Sequence, residues 1–194
     1  MLMKNVINII LVIGGIAMNA FNDSWDLGRT IHDHEVKFRL YPELWENFEF
    51  DEFDLTTVTW HECKFLNSDG NGLSIEMSNL PNDKGGIYFF VARSAVLPEI
   101  CNYLMYIGRS KCTKAQSLKR RCRNYFTEYN SEECRPRIYR LIKLWGEYLY
   151  LRYIELEDNR IIDELEAALI NSLLPPFNFV VPNKKIRAAI RAFD

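Results

Sequence analysis

A carboxylate stands in the middle of an apolar helix face near the C-terminal end of the chain. Residues 159–174 predict a helix that stops before the pair Pro175–Pro176, because proline cannot continue a helix. At about 100° per residue the apolar side chains form one stripe, with Glu166 at its centre and Asp163 and Glu164 on its wetter flanks. A buried acid is costly without a partner. Glu166 therefore either has a structural place, at the rim of a small core or paired with an arginine, or performs chemistry.

Other polar side chains lie at positions from which they could reach one another. Tyr88 and Tyr106 belong to two apolar runs, and if these runs pair as a hairpin the two phenols can share one face. Arg121 and Tyr125 are four residues apart on a predicted helix and are therefore side by side. Asn178 follows the proline pair, where its amide can tie down the loop. Each of these residues alone has an ordinary structural use.

The elements that must position these side chains predict a small α+β domain with a central antiparallel β-sheet flanked by helices. Predicted strands cover 86–93, 103–110 and 147–156, and predicted helices cover 115–126, 135–146, 159–174 and part of 183–194. The turn-rich stretch "LPNDKGG" marks a boundary. We therefore divide the chain into an N-terminal extension, 1–82, and a domain, 83–194.

The extension carries its own signals. The stretches "VKFRLY", "FEFDEFDLTTVTW" and "LSIEM" predict short β-strands with acidic outer faces. Residues 1–17 are mostly apolar and signal-like, but they lack a small-x-small cleavage site and are short for a membrane span of about 20 residues. The alternatives are a buried element or a start codon upstream of a true start at Met18. We favour a cytoplasmic protein that does not associate with membranes.

Composition and charge narrow the function. The 194 residues are 48% hydrophobic and 26% charged, which suits one globular domain or a domain with an extension. The formal charge of −2 hides a division: residues 1–84 carry 6 basic and 14 acidic side chains, whereas 106–144 carry 11 and 3. Such a concentrated basic segment predicts a polyanionic partner. The five cysteines form no CxxC pair, so we expect reduced thiols and no zinc cluster.

Four motifs, taken in order, resemble those of the GIY-YIG nuclease family. They are "GIY" at 86–88, "YIGRS" at 106–110, "SLKRRCRNYF" at 117–126 and "ELEAALINSLLPPFN" at 164–178. In the family's last motif a Glu is followed by Ile four, Pro nine and Asn twelve residues later, and Glu166, Ile170, Pro175 and Asn178 fit each step. A lone GIY would be weak, but four motifs in order are specific. The resemblance covers about residues 85–180.

The chain also departs from the family pattern. The connection between GIY and YIG and the segment from Gly108 to Arg121 are longer than is usual in the family. Arg120, Arg121 and Arg123 compete for the place of the family's arginine, and only the Arg-x-x-x-Tyr-Phe spacing selects Arg121. The first 80 residues match nothing in the family.

The resemblance implies a role for each residue of the central set. Glu166 would bind a divalent cation, Mg²⁺ or Mn²⁺, which prefers carboxylate, water and substrate phosphate oxygens. Arg121 would stabilise charge on the phosphate with its planar fork of donors. Tyr88 would be the general base, and Tyr106 and Tyr125 would orient water or phosphate.

Further residues would support the site and bind substrate. Asn178 would hold the end of the Glu166 helix, Gly108 would let the substrate approach the backbone, and Arg109 would contact phosphate. The remaining basic residues that we expect to bind substrate are Lys111, Lys119, Arg120 and Arg123.

Together these features predict a metal-dependent endonuclease that hydrolyses DNA phosphodiesters, of the restriction or the phage and mobile-element type. The alternatives are a structure-specific DNA repair nuclease and a non-catalytic nucleic-acid-binding module on the same scaffold. RNA cleavage, a homodimer, and contact of the acidic N-terminal region with a partner or with the basic face are left open.

Overall fold

The computed structural model describes residues 24–193, so the apolar segment 1–17 lies outside the described residues. The helices are α1 Ser24–Asp33, α2 Pro42–Glu46, α3 Leu118–Tyr129, α4 Pro136–Trp145, α5 Asn159–Leu173 and α6 Lys184–Arg191. The strands are β1 His61–Lys64, β2 Gly85–Arg93, β3 Asn102–Ser110 and β4 Leu149–Leu156, with short 3₁₀ helices at Ile75–Asn79 and Gly146–Tyr148. None of these described helices is long and apolar enough to span a membrane.

The chain divides into two units, Met1–Lys37 and Phe38–Asp194. The described part of the first unit contains α1. The second unit contains all four strands and runs through the predicted boundary after residue 82.

The four strands form one antiparallel sheet in the order β1-β4-β2-β3. In the centre, β2 pairs with β3, where Phe89 lies opposite Ile107, and with β4, where Ile87 lies opposite Ile154. Helices cover β2 on both faces, which accounts for its almost continuous apolar sequence. The predicted α+β fold, with an antiparallel sheet flanked by helices, is confirmed.

The described part of the N-terminal extension, 1–82, differs from its prediction. β1 pairs with β4 and thus extends the same sheet, but residues 36–41, 48–60 and 73–77 form no strand. The aromatic side chains of 48–60 instead pack as irregular chain against the core around α5. Alternating apolar residues show that one side of a segment is buried. They do not supply the hydrogen-bonding neighbour that a strand requires.

The two faces of the sheet carry different side chains. One face packs against α5, and its core consists of Ile87, Ile107, Ile154, Ile162, Leu165, Leu169 and Ile170. Successive strand residues point to opposite faces, so Tyr88 projects from the side opposite Ile87. There it meets Tyr125 of α3.

Local signals fix the ends of the helices that carry the site. Ser117 caps α3, and Asp158 caps α5 by accepting hydrogen bonds from the backbone N–H groups of Arg160 and Ile161. After α5 the chain passes through Leu174 in the left-handed conformation (φ 46°), immediately before the two prolines. The predicted helix stop is confirmed. The turn brings the backbone N–H of Phe177 to the carbonyl of Met105, at 3.0 Å.

Candidate active site

Three tyrosine hydroxyls meet on the α3 side of the sheet. The hydroxyl oxygens of Tyr88 and Tyr125 lie 2.8 Å apart, and the Tyr125 hydroxyl donates to that of Tyr106 at 3.1 Å. Tyr88 and Tyr125 are buried, whereas Tyr106 is half-buried and forms the accessible end of the chain of hydroxyls. Together with Arg121 these residues are called the hydroxyl cluster below.

Arg121 binds two of the hydroxyls at once. Its Nε donates to the Tyr88 hydroxyl at 3.2 Å and its Nη2 donates to the Tyr125 hydroxyl at 3.3 Å. Arg120 and Arg123 lie on the exposed side of α3, and Arg120 donates to the carbonyl of Lys114. Of the three competing arginines, the structure therefore brings only Arg121 to the tyrosines.

The buried tyrosines strongly prefer the neutral form. Burial raises the pKa of Tyr88 well above its ordinary value, and the Arg121 charge opposes this shift only in part. Burial likewise raises the pKa of Tyr125. In the protein as it stands these groups donate and accept hydrogen bonds as phenols. The role of base that the resemblance implies for Tyr88 therefore requires a further positive charge nearby.

Glycines make room for this arrangement. Gly108 lies opposite Tyr88 in the sheet, and a Cβ at Gly108 would come within 2.6 Å of the Tyr88 ring and hydroxyl. Gly86 has φ +148°, and a Cβ there would overlap the Ile154 carbonyl. Both motif glycines thus have packing reasons of their own. The substrate contact assigned to Gly108 stays a prediction.

Glu166 lies in a second group, which is ionic. Its side chain is 18% exposed, and its Oε2 lies 2.6 Å from Nη1 of Arg109. Asp163 forms ion pairs with two cations: its Oδ1 lies 3.0 Å from Arg109 Nε, without hydrogen-bond geometry, and its Oδ2 lies 3.0 Å from Lys111 Nζ. Arg109, Lys111, Asp163 and Glu166 are called the charge cluster below. The carboxylate on the apolar helix face thus has an arginine partner, which is one of the two outcomes that the sequence left open.

The position of Glu166 in the fold disfavours its charged form despite the arginine partner. Burial raises the pKa of Glu166, while Arg109 and, more weakly, Arg121 lower it. A half-buried carboxylate of this kind suits a Mg²⁺ ion that keeps water and phosphate as its other ligands. Within residues 24–193 no group of three or more His, Cys, Asp or Glu side chains gathers to hold a metal. An ion here would therefore depend on oxygen atoms from water and substrate.

Asn178 fastens the loop after α5 to strand β3. Its Oδ1 accepts from the backbone N–H of Ile107 at 2.9 Å, and its Nδ2 donates to the Ile107 carbonyl at 2.8 Å. Ile107 lies between Tyr106 and Gly108, so the amide holds the strand that carries both motif residues. The structure places Asn178 as a clamp on this loop, the position expected from the sequence.

The basic residues predicted to bind substrate differ in their contacts within the protein. Arg109 and Lys111 are engaged in the charge cluster. Lys119 donates from Nζ to the carbonyl of Ser78, and Arg120 and Arg123 are exposed.

Two residues near the site were missed by sequence reasoning. Asp163, assigned to a wet flank, is half-buried beside Arg109; its spacing of three residues from Glu166 could have shown that both share a side of α5. The guanidinium of Arg135 lies 5.5 Å from the centroid of the Tyr125 ring and is paired with Glu128 at 2.6 Å. No local signal distinguished Arg135 from the other arginines of the basic segment.

Fold and site together define a small α+β domain that carries a tyrosine–arginine cluster and a carboxylate paired with an arginine. Over 113 residues the chain is 33% identical to the UvrABC system protein C of Wolinella succinogenes, an alignment covering 56% of this chain and 16% of that protein. The chain thus spans about a sixth of the length of this curated relative. No family model and no solved structure matches the chain. The similarity is consistent with the GIY-YIG resemblance at a distant level.

Proposed function

We propose that this domain is a metal-dependent endonuclease that hydrolyses phosphodiester bonds in DNA. The observation that carries the proposal is the double hydrogen bond from Arg121 to the hydroxyls of Tyr88 and Tyr125. The Arg121 charge also lowers the pKa of Glu166, although less than Arg109 does. The similarity to the UvrABC system protein C supports a nuclease at a coarse level.

The residues of the hydroxyl cluster have complementary tasks in this reaction. Water adds to phosphorus, the bond from phosphorus to one sugar oxygen breaks, and the products carry a phosphate end and a hydroxyl end. Arg121 stabilises the negative charge that grows on the phosphate oxygens, because it is held in place before substrate arrives. Tyr106, the accessible hydroxyl, orients the attacking water. To accept the proton that this water releases, Tyr88 would first have to give its own phenolic proton to solvent, which requires a further positive charge beside Arg121. The leaving oxygen takes a proton from solvent.

Glu166 would hold the divalent cation. When bound, such an ion neutralises phosphate charge and lowers the pKa of water. Arg109 occupies one carboxylate oxygen, Oε2, which leaves the other for the ion. A phosphate that enters between Arg109 and Glu166 would give the arginine a new anionic partner. In this way the predicted phosphate contact of Arg109 and its observed ion pair are compatible.

Nicking of supercoiled plasmid in Mg²⁺, Mn²⁺ or EDTA tests the proposal. We expect nicked and linear DNA with either metal and intact plasmid in EDTA. The Glu166→Gln variant retains the shape of the side chain but loses its charge, and should be inactive. Glu164→Gln is the matched control, since Glu164 lies on the same helix and is also paired with an arginine, Arg160. Equal cutting by both variants would reject the role of Glu166.

A second candidate function is nucleic-acid binding without cleavage. The observation in its favour is the Arg109–Glu166 ion pair, which satisfies the carboxylate without a metal. Tight DNA binding together with intact plasmid in both metals would select this function.

The kind of nuclease is a separate question. Similarity to a UvrABC system protein favours the structure-specific alternative over a restriction-like enzyme. Digestion of flap, junction and plain duplex substrates separates these two, because a restriction-like enzyme cuts plain duplex at a fixed sequence.

A further inference from the structure

A groove of about 260 Å³ lies where α5 ends and α6 begins. Four arginines line it, namely Arg39, Arg137, Arg187 and Arg191, and among residues 24–193 no acidic side chain does. Residues 179–193, which include α6, contain four basic side chains and no acid. Neither the hydroxyl cluster nor the charge cluster includes any of these residues.

The groove adjoins the candidate active site through two elements. Ile170 lines it and follows Glu166 by about one turn on the same face of α5, which corresponds to about 6 Å along the axis. Leu174, which directly follows α5, lines it too. Asn178 also lines the groove, and its backbone carbonyl accepts a hydrogen bond from Arg137 Nη1 at 3.1 Å. The residue that clamps β3 with its side chain thus holds a groove arginine with its backbone.

The chemistry of the groove selects a nucleic-acid strand. Arginine presents a planar fork that matches phosphate oxygens, and a DNA strand offers one phosphate about every 3.4 Å along the helix axis. A lipid surface fits less well. The apolar residues of α6, Ile186 and Ile190, are half-buried, so α6 has no free apolar face to insert into a membrane. α6 is also anchored, because the Asn183 backbone N–H donates to Asn171 Oδ1 at 2.9 Å.

We infer that this arginine groove is a second phosphate-binding surface, which holds the backbone of the bound nucleic acid beside the C-terminal end of the helix that carries Glu166. The inference rests on the proposed function for the identity of its ligand as DNA. The groove contributes register and affinity, and takes no part in the bond-breaking step.

Binding of a short fluorescein-labelled DNA duplex to the full chain, measured by anisotropy over a salt series, tests the inference. The buffer contains EDTA, so that metal-dependent cleavage does not consume the probe. The variant Arg187→Gln/Arg191→Gln removes two groove charges. The matched variant Lys184→Gln/Lys185→Gln removes two exposed charges of the same helix that do not line the groove.

For the arginine double variant we expect the slope of log K against log salt to fall by about 1.8, or about 0.9 for each lost phosphate contact. The lysine double variant should retain the slope of the wild type. Equal changes in both variants, or none in either, would overturn the inference. Binding to anionic phospholipid vesicles that depends on Arg187 and Arg191 while DNA binding does not would also overturn it.

A single variant protects the test against misfolding. Arg187 Nη1 donates to the Val181 carbonyl, so the double variant could loosen α6. Arg191 is exposed, and Arg191→Gln compared with Lys185→Gln repeats the comparison with an expected slope change of about 0.9. The outcome is independent of cleavage. If the plasmid is not nicked but the salt slope falls only in the arginine variants, the nuclease proposal is rejected and the groove inference stands. If the plasmid is nicked but the arginine variants keep the slope of the wild type, the groove inference is rejected and the nuclease proposal stands.

Discussion

The hydroxyl cluster and the charge cluster are held in different ways. Tyr88 and Tyr125 are buried and neutral, and the hydroxyl of each is bonded to another group of the protein. In the charge cluster, the side chains of Arg109, Lys111 and Asp163 are 37–42% exposed and are held by ion pairs. Buried hydrogen bonds resist salt, including those that the Arg121 guanidinium donates to the two hydroxyls, whereas partly exposed ion pairs are screened by it.

This difference indicates how the site divides its work. A buried network cannot rearrange cheaply, because any freed hydroxyl would lose its partner in an apolar setting. Exposed ion pairs can exchange one anion for another at little cost. The hydroxyl cluster therefore supplies fixed geometry, and the charge cluster is where a cation and a phosphate can enter.

The largest expected effect on cleavage comes from substitution of Glu166 in the charge cluster, where a cation and a phosphate can enter. Glu166→Ala should lower cleavage by about 10³-fold or more, since a catalytic cation supplies several kcal/mol of charge stabilisation. Duplex binding in EDTA should stay close to that of the wild type, because Glu166 is an anion and does not itself bind phosphate without a metal. Plasmid nicking and anisotropy measure the two quantities. Full cutting by this variant in Mg²⁺ would show that the charge cluster is only structural.

Substitution of Arg121 tests the hydroxyl cluster, which supplies fixed geometry. Arg121→Ala should lower the rate of cleavage by about 10²- to 10³-fold, as for loss of one preorganised donor. Arg120→Ala and Arg123→Ala, on the exposed side of α3, should weaken binding and leave the rate at saturating DNA almost unchanged. Single-turnover kinetics separate rate from binding. Equal losses for all three variants would mean that Arg121 acts only as bulk charge.

The hydroxyl cluster should also contribute to folding stability. Tyr88→Phe deprives Arg121 and Tyr125 of a buried partner and should lower the free energy of unfolding by about 1–3 kcal/mol. Tyr139→Phe is the control, since Tyr139 is 45% exposed and should change stability by less than about 0.5 kcal/mol. Urea denaturation measures both. An unchanged free energy of unfolding in the Tyr88→Phe variant would contradict the description of a tightly bonded network.

Alkaline pH provides a gentler perturbation of the same cluster. Because burial raises the pKa of Tyr88 and Tyr125 in the folded protein, the unfolded chain loses these protons first, near pH 10. The stabilising contribution is therefore complete below about pH 10 and declines as pH rises towards the folded pKa values. The urea concentration at the midpoint of unfolding should fall as the pH rises from about 8 to 11. It should fall less steeply in the Tyr88→Phe variant than in the wild type.

The smallest expected effect lies in the charge cluster. Asp163→Asn removes the carboxylate charge opposite Arg109 and Lys111, but the pair is about 40% exposed, so the cost should stay below about 1 kcal/mol and shrink with salt. Thermal unfolding at low and high salt checks this. A large cost that does not depend on salt would mean that the two clusters are equally rigid.

Local patterns predicted most of the elements and most of the hydroxyl cluster. The apolar runs became β2, β3 and β4, and the proline pair ended α5. The Arg-x-x-x-Tyr-Phe spacing of the family resemblance selected Arg121, the one of the three competing arginines that donates to the tyrosine hydroxyls. These features depend on residues close together in the chain or on adjacent elements, where periodicity determines which side chains share a face.

The charge cluster and the start of the second unit were harder to predict. Arg109 and Glu166 are 57 residues apart, and nothing local shows that the rim of β3 meets the centre of α5. The alternating aromatic residues of 48–60 showed a buried side, but their neighbour is a helix and not a strand. Pairings between distant elements depend on the tertiary fold, which periodicity does not contain.

The double hydrogen bond of Asn178 has a consequence for solubility. β3 is an outermost strand of the sheet, and an outer strand offers free N–H and C=O groups to which another protein molecule can add. Asn178 occupies both backbone groups of Ile107, and the N–H of Phe177 occupies the carbonyl of Met105. Two loop residues thereby stand in for a missing neighbouring strand and close this stretch of the rim to edge-to-edge aggregation.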